Sequence, residues 1–115
     1  MSRVKRGIVT RKRHKRLLKK AKGFWGQRNN IFKRAKETLL RSMAYAFKGR
    51  KLRKRDMRGL FIIRIGAAAV QEGLSYSKFI FGLKKANVAL NRKMLSQLAI
   101  FEPAVFSKLV DIAKG

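Results

Sequence analysis

The stretch Leu60-Phe61-Ile62-Ile63-Arg64-Ile65-Gly66-Ala67-Ala68-Ala69-Val70-Gln71-Glu72-Gly73-Leu74-Ser75-Tyr76 decides the fold. Leu60, Ile63, Ala67, Val70 and Leu74 recur at helical spacing and predict one apolar face. Gly73 is placed to end that helix, and Ser75 to cap the next. Downstream, Tyr76, Phe79, Ile80, Leu83 and Ala86 share one side of a second helix. Asn91 caps a third, with Met94, Leu95 and Leu98 turned inward. Pro103, at a first helical position, starts a fourth that buries Phe106, Leu109, Val110 and Ala113. Short helices joined by short turns, with no alternating β pattern, define an all-α class.

Upstream the composition changes. Residues 48–58 hold seven bases, one acid (Asp56) and only Leu52 and Met57 as large apolar residues. A helix polar on nearly all sides has no reason to persist alone, but among phosphates it is a stiff basic rod. Gly49 leaves two readings open, a kink or the end of one helix and the start of another. If residues 31–72 form one helix, it runs about 60 Å at 1.5 Å per residue. Asn30 is the expected N-cap. The stripe Phe32, Ala35, Leu39, Met43, Ala46 and Phe47 reads as a packing face, with Lys33, Arg34, Lys36 and Arg41 mostly off it.

Residues 1–22 hold eleven bases and no acid. The block Arg11-Lys12-Arg13-His14-Lys15-Arg16-Leu17-Leu18-Lys19-Lys20 has good helix formers but like charges at helical spacings, so it should fold only against a polyanion. Between block and stripe, Gly23 and Gly26 bracket Phe24 and Trp25, followed by Arg28, Asn29 and Asn30. Two readings stay open for the aromatics: wedging or stacking on nucleotides, or packing on the neighbouring helix.

The charge is uneven. Residues 1–58 carry 23 of the 31 Lys and Arg against two acids, a net of +21; residues 59–115 carry eight against three, a net of +5. The expected organisation is therefore a basic extension, residues 1–58, and a small helical domain, residues 59–115. A net charge of +26 on 115 residues resists compaction and calls for a polyanionic partner. At 46% hydrophobic the chain is too apolar to be disordered throughout. Within the domain, Lys78, Lys84, Lys85, Arg92 and Lys93 suggest a second RNA contact patch, with Ser75 and Tyr76 at its edge.

Catalysis finds no support. There is no P-loop, dinucleotide fingerprint or nucleophile elbow. His14, the single histidine, has no carboxylate near it in sequence, and Glu37 and Asp56 read as partners of neighbouring bases. No cysteine and five scattered carboxylates leave no metal site. No enzyme activity, cofactor, small-molecule substrate or membrane partner is expected. The apolar run Leu60 to Val70 is far short of the ~20 residues that span a bilayer.

Arg3-Val4-Lys5-Arg6-Gly7, Arg13-His14-Lys15-Arg16, Ala21-Lys22-Gly23-Phe24 and Arg53-Lys54-Arg55-Asp56-Met57-Arg58-Gly59-Leu60-Phe61-Ile62 resemble the family of the twentieth protein of the bacterial large ribosomal subunit. So do Gly73-Leu74-Ser75-Tyr76-Ser77-Lys78-Phe79-Ile80 and Arg92-Lys93-Met94-Leu95, in the same order along nearly the whole chain. The departures are Phe61 for the usual Trp, Gly66 for the usual Asn, and Met57 where an aromatic is common. The resemblance implies a structural protein that binds 23S-type rRNA directly, acts early in large-subunit assembly and has other large-subunit proteins as neighbours. Its extension would thread into rRNA and its C-terminal domain would lie nearer the surface. It also implies a cytoplasmic ribosome of bacterial type, with an organellar one compatible, and for some members repression of translation through their own mRNA.

The residues expected to contact RNA are Arg3, Lys5, Arg6, Arg11, Lys12, Arg13, His14, Lys15, Arg16, Lys19, Lys22, Phe24, Trp25 and Arg28, then Arg50, Lys51, Arg53, Lys54, Arg55 and Arg58, and in the domain Ser75, Tyr76, Lys78, Lys84, Lys85, Arg92 and Lys93. The competing reading is a histone-like architectural DNA-binding protein, which needs the same charge and apolar wedges.

Overall fold

The computed structural model describes Arg3 and residues 5–115, so Val4 of the opening motif lies outside the described residues. Five α-helices, α1 (Gly7–Lys20), α2 (Phe32–Gln71), α3 (Tyr76–Lys85), α4 (Arg92–Phe101) and α5 (Pro103–Lys114), and one 3-10 turn at Gly26–Arg28 make up its regular structure; no strand occurs among the described residues. The protein is all-α, as its periodicity implies. The chain divides into two units, Met1–Lys51 and Leu52–Gly115, with the boundary inside α2.

In the first unit, α1 carries the basic block. Leu17 and Leu18 are half-buried, and Ala21, which ends the helix by donating its N–H to the Leu17 and Leu18 carbonyls, is fully buried. Gly23 and Gly26 take positive φ, 92° and 60°, which residues with a Cβ rarely adopt, and so permit the turn into α2. That helix opens at Ile31, whose carbonyl accepts from the Ala35 N–H at 2.8 Å, one residue later than the expected cap at Asn30.

The anticipated stripe along α2 is only half a packing face. Phe32, Ala35 and Leu39 turn inward, but Met43, Ala46 and Phe47 are exposed, as is every residue from Leu40 to Arg58. The 14 residues of α1 extend only about 21 Å, so they cover just the first turns of α2. Gly49 does not end the helix, which continues for 40 residues. A glycine costs about 1 kcal/mol relative to alanine in a helix interior, which weakens the hydrogen-bond ladder without breaking it.

The second unit is built around Ile65, Ala69, Phe79, Leu83, Leu95, Phe106 and Val110, with the Phe79 and Phe106 rings 5.1 Å apart. Here the face expected from residues 60–74 is corrected. Ile65 and Ala69 are fully buried, whereas Leu60, Ile63, Ala67 and Val70 are exposed. The run is apolar nearly all round, so its periodicity could not choose among neighbouring stripes; packing partners chose.

Turn chemistry fixes where the helices stop and start. The Gly73 N–H donates to the Val70 carbonyl and the Leu74 N–H to the Ala69 carbonyl, the paired bonds of a Schellman stop, with Gly73 at φ 79° and Leu74 packed on the core. The same stop closes α3. There Asn87, at φ 55°, donates to Lys84, and Val88 donates to Leu83. Asn91 accepts the Met94 N–H at 2.9 Å, the expected cap of α4, and Pro103 opens α5. Met94 itself is exposed, so Leu95, Leu98 and Ala99 form the inward side of α4. Gly82 lets α3 and α5 meet, since a Cβ there would fall onto the Ala113 carbonyl.

Candidate nucleic-acid interface

Burial separates the anticipated contact residues into those offered outward and those held by the protein. Arg3, Lys5, Arg6, Arg11, Lys12, Arg13, Lys15, Arg16, Lys19, Lys22 and Arg28 are all exposed. His14 is half-buried, and its ring stacks on Phe32 with centroids 3.8 Å apart, which joins α1 to the start of α2. The two aromatics of the glycine turn part company: Phe24 is half-buried, while Trp25 is 90% exposed. An indole left in water within a basic surround is poorly explained by packing.

On α2, Arg50, Lys51, Arg53, Lys54, Arg55 and Arg58 are exposed. At 100° per residue, these and Lys48 span roughly 220° of the helix circumference. Gly49, Leu52, Asp56 and Gly59 occupy the remaining strip. This segment is therefore a broad cationic face with a lean back. The Lys51 ammonium sits 4.6 Å from the centroid of the Phe47 ring, one turn away.

Carboxylates do little to neutralise this charge. Among the described residues the one ion pair joins Arg41 to Glu37 at 3.2 Å, on the surface of α2. That matches the role anticipated for Glu37; Asp56 forms no such pair. Between α1 and α2, Arg13, Arg16, Lys20 and Lys36 border a groove of about 430 Å³ floored by Leu17, Phe32 and Leu39. Lys20 and Lys36 are not among the contact residues expected from the sequence. Lys36 follows the buried Ala35, but its place at a groove depends on where α1 lies, which spacing along α2 does not reveal.

In the second unit the structure joins two expected contact residues. Arg92 donates its Nε–H to the Tyr76 hydroxyl at 2.9 Å, across the start of α3 and the start of α4, and both side chains are half-buried. Ser75, Lys78, Lys84, Lys85 and Lys93 are exposed. Lys84 and Lys85 complement the negative end of α3. Arg92 and Lys93 do the opposite. They stand in the first turn of α4, where the helix dipole is positive and no acid is present, an arrangement that costs about 0.3–1 kcal/mol per charge unless an anion is nearby.

No group of His, Asp and Glu that could hold a metal occurs among the described residues, and no described helix is long and apolar enough to cross a membrane. The fold and its surface define a small, strongly basic all-α protein whose cations outnumber their internal partners. The sequence pattern of the family described as Ribosomal protein L20 matches residues 3–109. The chain is 56% identical to the large ribosomal subunit protein bL20 of Caldanaerobacter subterraneus over 114 residues, covering 99% of this chain and 96% of that protein. It is 55% identical, with the same coverage, to the proteins of that name from a Thermoanaerobacter species and from Clostridium novyi. The chain belongs to the ribosomal protein L20 family and is a structural, non-catalytic protein of the large ribosomal subunit.

Proposed function

We propose that this chain binds 23S-type rRNA directly and acts early in large-subunit assembly, by neutralising phosphates where RNA helices converge. The observation that carries the reading is the contrast between 31 Lys and Arg in the sequence and one ion pair among the described residues. Cations left without internal partners are available to phosphates, and the counterions they displace from RNA supply affinity that falls steeply with salt. Arginines can bridge two strands through bidentate phosphate contacts that lysine does not reproduce.

The two parts divide the work. Residues 1–58 supply charge and reach, and residues 59–115 recognise an RNA shape through the Tyr76–Arg92 pair, Ser75, Lys78, Lys84, Lys85 and Lys93. Neighbouring large-subunit proteins are the second class of partner, in a ribosome of bacterial type.

Cross-linking the protein within purified large subunits, followed by mapping of the modified nucleotides, tests this reading. Cross-links from both parts to large-subunit rRNA are expected; cross-links to protein alone would overturn it. Competition at fixed salt separates it from the histone-like alternative, because duplex DNA bound as tightly as structured rRNA would favour the latter.

A further inference from the structure

We propose that the groove between α1 and α2 is a nucleotide slot: it takes up one unpaired base of the bound RNA on an apolar floor while the rim holds the flanking phosphates. This rests on the RNA-binding reading and adds to it a ligand class and a site.

Leu17, Phe32 and Leu39 form the floor, and each is half-buried rather than sealed. The Phe32 ring is fixed in place by its stack on His14. Around the floor stand Arg13, Arg16, Lys20 and Lys36, all exposed, with no acid in the lining. An occupant complementary to this site has a flat apolar part joined to anionic groups. A nucleotide has that composition, since its base offers apolar faces for stacking and its phosphates pair with Lys and Arg. A base within a continuous duplex is already stacked and cannot enter. The slot therefore selects loops, bulges or junctions, a preference that charge alone does not give. An acidic peptide lacks the flat apolar part in register with its charges. An anionic lipid would need to bring an acyl chain to a site of about 430 Å³ bordered by four cations.

The test places the only indole of the chain on the floor, by combining Phe32→Trp with Trp25→Phe in the full-length protein. Binding and indole emission are followed together with three probes: a 23S-type rRNA transcript, long-chain inorganic polyphosphate, and vesicles of anionic phospholipid. Stacking by a base should roughly halve the emission when the transcript binds, whereas polyphosphate should bind without that change. Transcript binding with unaltered emission would overturn the slot while leaving RNA binding intact. An equal change with polyphosphate or vesicles would also overturn it. Absence of transcript binding would remove the slot together with the reading it rests on.

A second variant guards against disturbance of the Phe32 site. Leu39→Ser should weaken transcript binding about tenfold and leave the slope of log affinity against log salt unchanged, because a base contact releases no counterion. Arg16→Gln should instead reduce that slope by about 0.7–0.9. Unaltered affinity in Leu39→Ser, at wild-type helicity by circular dichroism, would sink the proposal.

Discussion

The Tyr76 hydroxyl accepts the Arg92 Nε–H at 2.9 Å, so a residue from the start of α3 orients a cation at the start of α4. Only one edge of the guanidinium is used by this bond. Its remaining N–H groups keep the planar fork geometry that suits a carboxylate or phosphate. Tyr76→Phe keeps the ring but removes the acceptor. We expect it to cost about 0.5–1.5 kcal/mol of stability and to weaken rRNA binding severalfold, with the salt slope retained because Arg92 keeps its charge. Thermal melting and filter binding across a salt series would check both; equal affinity for the two proteins would refute the positioning role.

Gly82 is required for a steric reason. Its missing Cβ is the space occupied by the Ala113 carbonyl, and backbone cannot yield as a flexible side chain does. Gly82→Ala should destabilise the C-terminal unit by about 1–3 kcal/mol, despite the higher helix propensity of alanine. A chemical denaturation midpoint at or above that of the wild type would contradict this.

Asn87 holds the left-handed position that ends α3, at φ 55°. Asn87→Gly should be neutral or slightly stabilising, and Asn87→Val should cost about 1–2 kcal/mol, since a β-branched residue is strained there. Melting temperatures ranked Gly, Asn, Val from high to low, or with Gly equal to Asn, are expected.

Trp25 contributes little to packing at 90% exposure. Trp25→Ala should leave the unfolding transition within about 0.5 kcal/mol of wild type, while the loss of stacking weakens rRNA binding by about 1–3 kcal/mol. A large stability loss with unchanged affinity would show that the aromatic turn serves the fold alone.

The proposed function makes the α2 cations independent phosphate partners. Replacing Arg53, Lys54 and Arg55 by Gln together should lower the salt slope of rRNA binding by about 2–3. Circular dichroism of the RNA-free protein should show no loss of helix, because this replacement relieves like-charge repulsion in a segment that is exposed throughout.

Local chemistry was legible where one residue suffices to decide a conformation. Gly73 ends a helix, Asn91 caps one and Pro103 starts one because each acts through its own backbone or side chain within a few positions. Faces were legible only where apolar and polar residues alternate around the helix. In α5 they do, and Phe106, Leu109, Val110 and Ala113 turn inward as expected. From Leu60 to Val70 nearly every residue is apolar, so several stripes compete and the one through Ile65 and Ala69 is buried. The stripe of α2 had the converse fault: its spacing is regular through Phe47, yet α1 is too short to cover it past Leu39.

By itself the sequence determined the helical class, the stop at Gly73, the cap at Asn91 and the start at Pro103, the +26 charge and its concentration before residue 59, and the ordered motifs that mark the family. Those properties are carried by single residues or by sums over many. The tertiary structure decided which side of α2 is core, that Tyr76 holds Arg92, that Gly82 admits Ala113, and that Lys20 and Lys36 border one groove with Arg13 and Arg16. Each of these joins positions distant in sequence or selects among equivalent faces. That choice is made by the packing of one helix against another, which no local pattern encodes.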